Sequence, residues 1–386
     1  MKSFTYHQPT EIRFGRGRIQ EVGQAVARLG SRCLLVTVPE TAEFGGLFGR
    51  VKGLVRAAGV KAAHFDAVIP NPTTDIVTQG ARKARDFQAD VILGVGGGSS
   101  MDTAKAIAVE ATHPGTAWDY LFFRPDQPTD KTLPIVAVST TSGTGSHVTQ
   151  VAVVTNPAEK NKSAIFHSRI YPRTSIVDPD LMLSAPARVT ASTGFDVFAH
   201  AFESYISPNG SPYTDMMALE ALALVAKALP AAVKNGRDVE ARERMAWADT
   251  LAGLCIANAG VTLPHGIGMA VGGIYPHVAH GEALAAVYPA ILRYSYKVIP
   301  AKFAAVGRIF DRKLAGETPV KAAAMTCDVI GRFLRKIGMD LSLGRLRVPK
   351  EELEALALQS LVLPDYKNHP KVATLGDVRR ILDESH

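Results

Sequence analysis

The sequence predicts an α/β N-terminal domain of Rossmann-like type with a mainly parallel sheet, followed by an all-α C-terminal domain. Three observations carry this. Short apolar runs alternate with helical stretches through the first half. One of those runs passes straight into a glycine-rich turn and a helix. Beyond about Pro186 the strand signals stop and helical periodicity takes over. The chain has 386 residues, enough for two domains, drawn here at 1–185 and 186–386.

Taken in order, Arg32–Thr37 reads as a buried strand, 47–58 as a helix and 60–65 as a second strand. Residues 75–87 read as a helix. Asp90–Val95 is a strand that runs into Gly96-Gly97-Gly98-Ser99-Ser100-Met101-Asp102, with a helix expected over 103–110. Residues 133–138 form one more strand, ending at the polar turn Thr140-Thr141-Ser142-Gly143-Thr144-Gly145-Ser146. Runs this apolar imply strands covered on both faces, hence a parallel sheet. The glycine run lets backbone N–H groups at a helix N-terminus approach a phosphate closely. It departs from the usual dinucleotide fingerprint, since Ser99 stands where the third glycine belongs, and it is no Walker loop. Two such turns at strand ends suit a ligand with a pyrophosphate and sugars.

Asp178-Pro179-Asp180 and Pro186 mark the expected crossing between domains, a common place for ligand clefts. Helical periodicity then appears at 215–234, 239–257, 301–311, 320–337 and 350–361. The stretch after Gly194 is apolar and free of proline, so Asp196 and His200 fall at i and i+4 on one helical face. Residues 260–281 are rich in glycine and offer His265 and His280 beside Gly266 and Gly281. One carboxylate and three imidazoles suit a divalent ion of the zinc or iron type, with about one unit of positive charge left to polarise an oxygen. An Asp-x-x-x-His pair alone is common on surface helices, so the four gain meaning only with the rest of the chain.

Composition narrows the classes. The chain is 47% hydrophobic and 20% charged, as globular proteins are. Its net charge of +7 is dispersed, with no basic run or interleaved aromatics, which argues against nucleic-acid binding. The beginning of the sequence lacks the apolar core of a signal peptide, and no run reads as a membrane span. Cys33, Cys255 and Cys327 fit no motif and are expected as thiols in a reducing cytoplasm.

Taken together, these segments resemble the iron-containing (group III) alcohol dehydrogenases, which share the dehydroquinate synthase-like fold. Pro70-Asn71-Pro72-Thr73 is similar to the family's PNPT element, Gly96–Lys105 to its GGGSxxDxAK signature, and Thr140–Thr149 to its TTxGTGSEVT signature. The resemblance covers nearly the whole chain. It implies a metal-dependent NAD(P)-linked alcohol dehydrogenase or aldehyde reductase acting on a small alcohol or aldehyde. Hydride would pass directly between the nicotinamide C4 and a carbon whose oxygen is held by the metal. It implies that Gly96, Gly97, Gly98 and Ser99, with Asp102 of the same signature, hold the cofactor, joined by Asn71, Thr140, Thr141, Thr144 and Lys162. It implies Asp196, His200, His265 and His280 as ligands of Fe(II), or of Zn(II), and a homodimer or larger homo-oligomer.

The resemblance also decides between two histidines. The family's last ligand is followed by Gly and, nine positions on, by Pro. His280 has Gly281 and Pro289, and His277 has neither. Several departures stand out. His147 replaces the Glu of the GSEVT turn. Met269 replaces a histidine that would relay protons, a role left to His277. Val38, followed by Pro39-Glu40, stands where NAD-selective members often carry Asp, which leaves NADP open beside NAD, with Glu40 as the carboxylate that could still reject a 2′-phosphate. Gln150 and Val151 differ from common pocket residues. Rival readings are a maleylacetate-type reductase, a zinc polyol dehydrogenase, a dehydroquinate-synthase-like lyase and a non-catalytic nucleotide-binding protein.

Overall fold

A computed structural model describes residues 2–44 and 46–386. The chain divides at Ala185/Pro186 into two units, 8–185 and 186–386, the second together with the residues up to His7.

The first unit strings together β1 (Glu11–Phe14), α1 (Val22–Ala27), β2 (Arg32–Val36), α2 (Leu47–Ala57), β3 (Lys61–Phe65), α3 (Thr74–Phe87), β4 (Val91–Gly96), α4 (Gly98–Glu110), β5 (Ile135–Ser139), β6 (Val151–Asn156), β7 (Asn161–Phe166) and β8 (Thr174–Val177). Six strands form one sheet in the order β1-β8-β5-β4-β2-β3, every pair parallel. Alternation within the apolar runs explains the two layers. Cys33, Leu35, Val91 and Leu93 point to one face, packed on Val26, Phe48 and Val51 of α1 and α2. Leu34, Val36 and Ile92 point to the other, packed on Val77 and Ile107 of α3 and α4. The chain moves outward from β2 to β3, then returns across β2 to β4. Where strand order reverses in this way, a crevice opens at the carboxyl ends of the strands, and the glycine turn leaves β4 at that end. Gly96 pairs with Ser139, so both polar turns depart from neighbouring strands side by side.

The edge strand β1, its neighbour β8 and the antiparallel hairpin β6–β7 carry no strong signal in the sequence. The helix expected over 103–110 begins at Gly98, because glycine propensity is overruled by the geometry of the turn.

The second unit comprises α5 (Ala187–Ile206), α6 (Pro212–Lys234), α7 (Val239–Ala259), α8 (Leu263–Ile274), α9 (His280–Ser295), α10 (Pro300–Phe310), α11 (Pro319–Lys336), α12 (Leu353–Gln359) and α13 (Leu375–Ser385). The glycine-rich stretch 260–281, without helical signal in the sequence, supplies α8 and the start of α9. Leu263 and Pro264 open α8, where a missing proline N–H costs nothing. α6 is long and apolar enough to cross a membrane by composition. Here it packs against α5 and α7, with Leu222, Val225 and Leu229 buried.

α5 is buried along most of its length. Its Phe195, Phe198 and Phe202 stack in series and meet Tyr288, Phe303 and Phe333. Asp196, His200 and Glu203 occupy another face at i, i+4 and i+7. The aromatic face fixes the helix in rotation, and so fixes where the polar face points.

Candidate functional site

The polar face of α5 meets α8 and α9. Three ring nitrogens converge on one oxygen, Asp196 Oδ1: His265 Nε2 at 3.5 Å, His200 Nε2 at 3.6 Å and His280 Nε2 at 3.9 Å. These distances are long for good hydrogen bonds. They match the spacing of neighbouring ligands around a shared ion, roughly 3.4 Å for a tetrahedron with bonds near 2.1 Å. Ligand atoms of Asp196, His265 and His280 all lie within 4.8 Å of one another. The His200 ring stacks on that of His265, centroids 4.7 Å apart. Asp196 Oδ1 and His265 Nε2 are both buried without a hydrogen-bond partner. Burying such atoms unsatisfied is costly, and a divalent cation among them satisfies both at once. The donor set therefore fits the metal that the sequence predicts.

Electrostatics agree. Burial alone would raise the Asp196 carboxyl, but His200, His265 and His280 outweigh it and hold the group well below the usual carboxylate range. Burial opposes charge on His265, yet Glu203 and Asp196 overcome it and push the imidazole up to about 10. The cluster attracts positive charge, as a proton or as an ion. Glu203 is fully buried, and its Oε1 accepts from His265 Nδ1 at 2.7 Å. That bond keeps the proton on Nδ1 and leaves Nε2 bare for a metal. Tyr288 donates to the same oxygen at 3.3 Å.

The glycines near the site have local reasons. A Cβ on Gly281 would overlap the Ser192 carbonyl of α5, and one on Gly268 would lie 3.0 Å from His280 Cε1. Only with glycine at 281 can α9 approach closely enough for His280 to enter the cluster. His277 is not brought there. It is exposed, and its Nε2 donates to the Leu346 carbonyl at 3.1 Å. Met269 lies four residues after His265 on α8 and offers no proton-transfer group. Asp365, which the sequence reading passed over, lies close enough to His265 and Glu203 to respond to both. Burial pushes its carboxyl up to about 6, His265 opposing and Glu203 adding.

In the α/β unit, Gly97 is the N-cap of α4 and supplies no side-chain cap, so the helix N-terminus remains suited to an anion. Gly96 has φ of 148°. A Cβ on Gly97 would lie 3.2 Å from Thr141 Oγ1, and one on Gly98 would lie 2.5 Å from Thr144 Cγ2. The glycine run thus also serves close packing of the two turns. Thr140 N donates to the Gly96 carbonyl at 3.0 Å, and Ser99 lies in the first turn of α4. Lys162 Nζ donates to Asn71 Oδ1 at 2.8 Å, joining two predicted cofactor residues far apart in sequence. Asn71 takes a left-handed φ of 52° at the start of the turn that leads to α3.

Asp102 requires a correction. It is not on the open face of the turn. Its Oδ1 accepts from Ser146 Oγ at 2.6 Å and its Oδ2 from Val153 N at 3.1 Å. Burial raises its pKa, with Lys105 opposing. Lys105 is fully buried and points its ammonium at the carbonyls of Ser146, Thr149 and Val151, at 2.7, 2.9 and 2.7 Å. Ser146 Oγ at 2.9 Å and Thr149 Oγ1 at 3.4 Å are further acceptors, so the three N–H groups of the ammonium are fully met. This part of the glycine signature holds the second turn in place.

The profile of iron-containing alcohol dehydrogenases matches residues 9–179, and that of the Fe-containing alcohol dehydrogenase family C-terminal region matches 190–386. The chain is 36% identical to the 1,3-propanediol dehydrogenase of Klebsiella pneumoniae, covering 100% of this chain and 99% of that protein. It is 33% identical to the NAD-dependent methanol dehydrogenase of Bacillus methanolicus, over 95% and 96% of the two chains. A crystal structure of an alcohol dehydrogenase from a Red Sea brine-pool archaeon superposes with a TM-score of 0.96, at 32% identity, covering 100% of both chains.

Proposed function

The chain belongs to the iron-containing alcohol dehydrogenase family, and on that premise we propose that it catalyses NAD-linked interconversion of a small alcohol and its aldehyde or ketone. It is an oxidoreductase acting on CH–OH. The single observation that carries the site is the convergence of three histidine Nε2 atoms on Asp196 Oδ1. We assign Asp196, His200, His265 and His280 as the metal ligands, with Fe(II) as the family's metal and Zn(II) as an ion that the same donors accept. When bound, the ion supplies Lewis acidity toward the substrate oxygen, and the nicotinamide cofactor supplies the hydride acceptor or donor.

The protein's own groups do the rest. Glu203 holds His265 in one tautomer, and the aromatic face of α5 holds Asp196 and His200 in register. The first turn of α4, with Gly96, Gly97, Gly98 and Ser99, would bind the cofactor pyrophosphate. Asn71, Thr140, Thr141, Thr144 and Lys162 would line the rest of that cofactor. Val38 carries no charge to repel a 2′-phosphate, so we propose that NADP is accepted as well as NAD. With His277 at the surface, the proton would leave through water. Cytoplasmic location and a homo-oligomeric state accompany the proposal.

The test is carbonyl-dependent oxidation of NADH and NADPH by metal-stripped protein, before and after anaerobic addition of Fe(II) or Zn(II). Short aldehydes and hydroxyaldehydes serve as substrates. Turnover is expected only with metal. Asp196→Asn should retain little metal and little activity. Full metal content and rate in that variant would show the ligand assignment to be wrong.

A further inference from the structure

Behind Glu203 the hydrogen bonding does not stop. Glu203 Oε2 accepts from Thr262 N at 2.7 Å and from Thr262 Oγ1 at 3.2 Å. Thr262 Oγ1 lies 3.1 Å from His369 Nδ1, and His369 Nε2 lies 2.7 Å from Ser295 Oγ. Glu203, Thr262, Ser295 and His369 are all buried. We propose that His369 is a positioning residue for the metal centre, holding His265 in place through Thr262 and Glu203.

The direction of the protons decides this. In one arrangement the Thr262 hydroxyl donates to Glu203 and its oxygen accepts from His369, which carries its proton on Nδ1. Its bare Nε2 then accepts from the Ser295 hydroxyl. A rival arrangement exists. Ser295 Oγ is also 2.7 Å from the Ile291 carbonyl. Ser295 could donate there, His369 to Ser295, and Thr262 to His369. Both arrangements contain three bonds, as does a third in which Thr262 donates to Glu203, His369 Nε2 to Ser295 and Ser295 to the Ile291 carbonyl. The rival turns a hydroxyl lone pair toward a carboxylate, whereas the first gives that carboxylate a charge-assisted bond, roughly twice as strong as a neutral one. Of the two arrangements that give Glu203 this bond, only the first also joins His369 to Thr262 by a hydrogen bond, and it is the one proposed here. The third leaves a bare Nδ1 facing the Thr262 oxygen at 3.1 Å, and the variants below separate them. Burial, with Lys371 adding, keeps His369 neutral and pushes its pKa down to about 3, so the ring has one proton to place.

The consequence reaches the metal ligands. Thr262 is fixed by His369, and Glu203 is fixed at both oxygens by Thr262 and His265. His265 is then left with one orientation, Nε2 toward Asp196. The proposal rests on the metal reading above, and its test separates the two. The affinity of metal-stripped protein for Zn(II) would be measured by competition with a chromophoric chelator. Wild type would be compared with His369→Asn and His369→Gln. An Asn amide reaches the position of Nδ1 and can still donate to Thr262. A Gln amide reaches the position of Nε2 and keeps Ser295 but loses Thr262.

His369→Gln is expected to weaken Zn(II) binding about tenfold, the lower end of what outer-shell partners of metal ligands contribute. His369→Asn should stay close to wild type. Co(II)-substituted protein should show a shifted d–d absorption in the Gln variant alone. Thr262→Val removes the hydroxyl at nearly constant volume and should reproduce the Gln loss, whereas Thr262→Ser should not. Equal affinity in all variants, or equal loss in Asn and Gln, overturns the proposal while leaving the metal site standing. A wild type that binds no ion overturns both.

Discussion

At the scale of single residues, His147 shows how the chain departs from its family. The family's glutamate in this turn is replaced by an imidazole that is completely buried. Burial, with Lys105 adding, pushes its pKa down to about 3. The folded protein therefore keeps His147 neutral, while the unfolded chain takes up a proton near the ordinary value of 6.5. The stability it contributes is present above pH 6.5 and is lost as the pH falls from there toward 3. Between pH 7 and 5 the loss is about 2 kcal/mol for this one group. His147→Gln should lose less stability over that interval by a similar amount in denaturant titrations at pH 7 and pH 5. An unchanged difference would mean that the imidazole titrates in the folded state. Legibility at this scale was uneven. Asp196 and His200 are readable because i and i+4 share a helical face. Glu203 stands on that same face at i+7, but a glutamate in a helix is usually a surface residue, so its role emerges only from burial. His265 and His280 are readable as types, whereas their distance from Asp196 depends on how α8 and α9 pack. Asp102 sits in a signature that suggested ligand contact, and only the position of Ser146 and Val153 reveals it as scaffolding.

At the scale of elements, close approaches fix what the side chains can reach. α9 comes so near α5 that Gly281 faces the Ser192 carbonyl directly. Gly281→Ala would drive the first turn of α9 away from α5 and carry His280 with it. Overpacking of this kind costs about 1–3 kcal/mol, more where the opposing atom is backbone. The variant should therefore melt earlier and retain less metal. His280→Ala, which leaves the approach intact, should lose metal without a comparable loss of apo-protein stability. If Gly281→Ala kept a full complement of metal, α9 would not be what positions its histidine. The same physics explains which elements the sequence announced. β2, β4 and β5 lie inside the sheet and bury both faces, so they appear as apolar runs. β1 pairs only with β8 and has the sequence Glu-Ile-Arg-Phe, with no such run. α8 is hidden by its glycines, which are there to let His280, Leu284 and Ser360 come close. Local propensity and tertiary demand disagree at those places, and tertiary demand wins.

At the scale of the whole molecule, the two units should respond to different ligands. The metal donors come from α5, α8 and α9, elements separated along the chain but all within 186–386. An ion that binds only the folded arrangement stabilises it by RT ln(1 + [L]/Kd), about 2.7 kcal/mol at a hundredfold excess over Kd. That stabilisation acts where the donors are. The proposed cofactor groups, by contrast, lie in the turn before α3, at the ends of β4 and β5 and along β7, all within 8–185. Hydrogen exchange read by mass spectrometry separates the two effects. Adding Zn(II) or Fe(II) to stripped protein should slow exchange in peptides from α5, α8 and α9, with little change around residues 91–102. Adding NADH or NADPH should slow exchange at 91–102 and 139–151 instead. Parallel pairing such as Glu11 with Thr174 joins opposite ends of the first unit, so no local pattern in the sequence could announce it. The division of labour is different, because each unit's chemistry-bearing residues all fall within its own span of the chain. Metal-induced protection appearing first at 91–102, or cofactor-induced protection confined to α8 and α9, would contradict the assignment of roles to the two units.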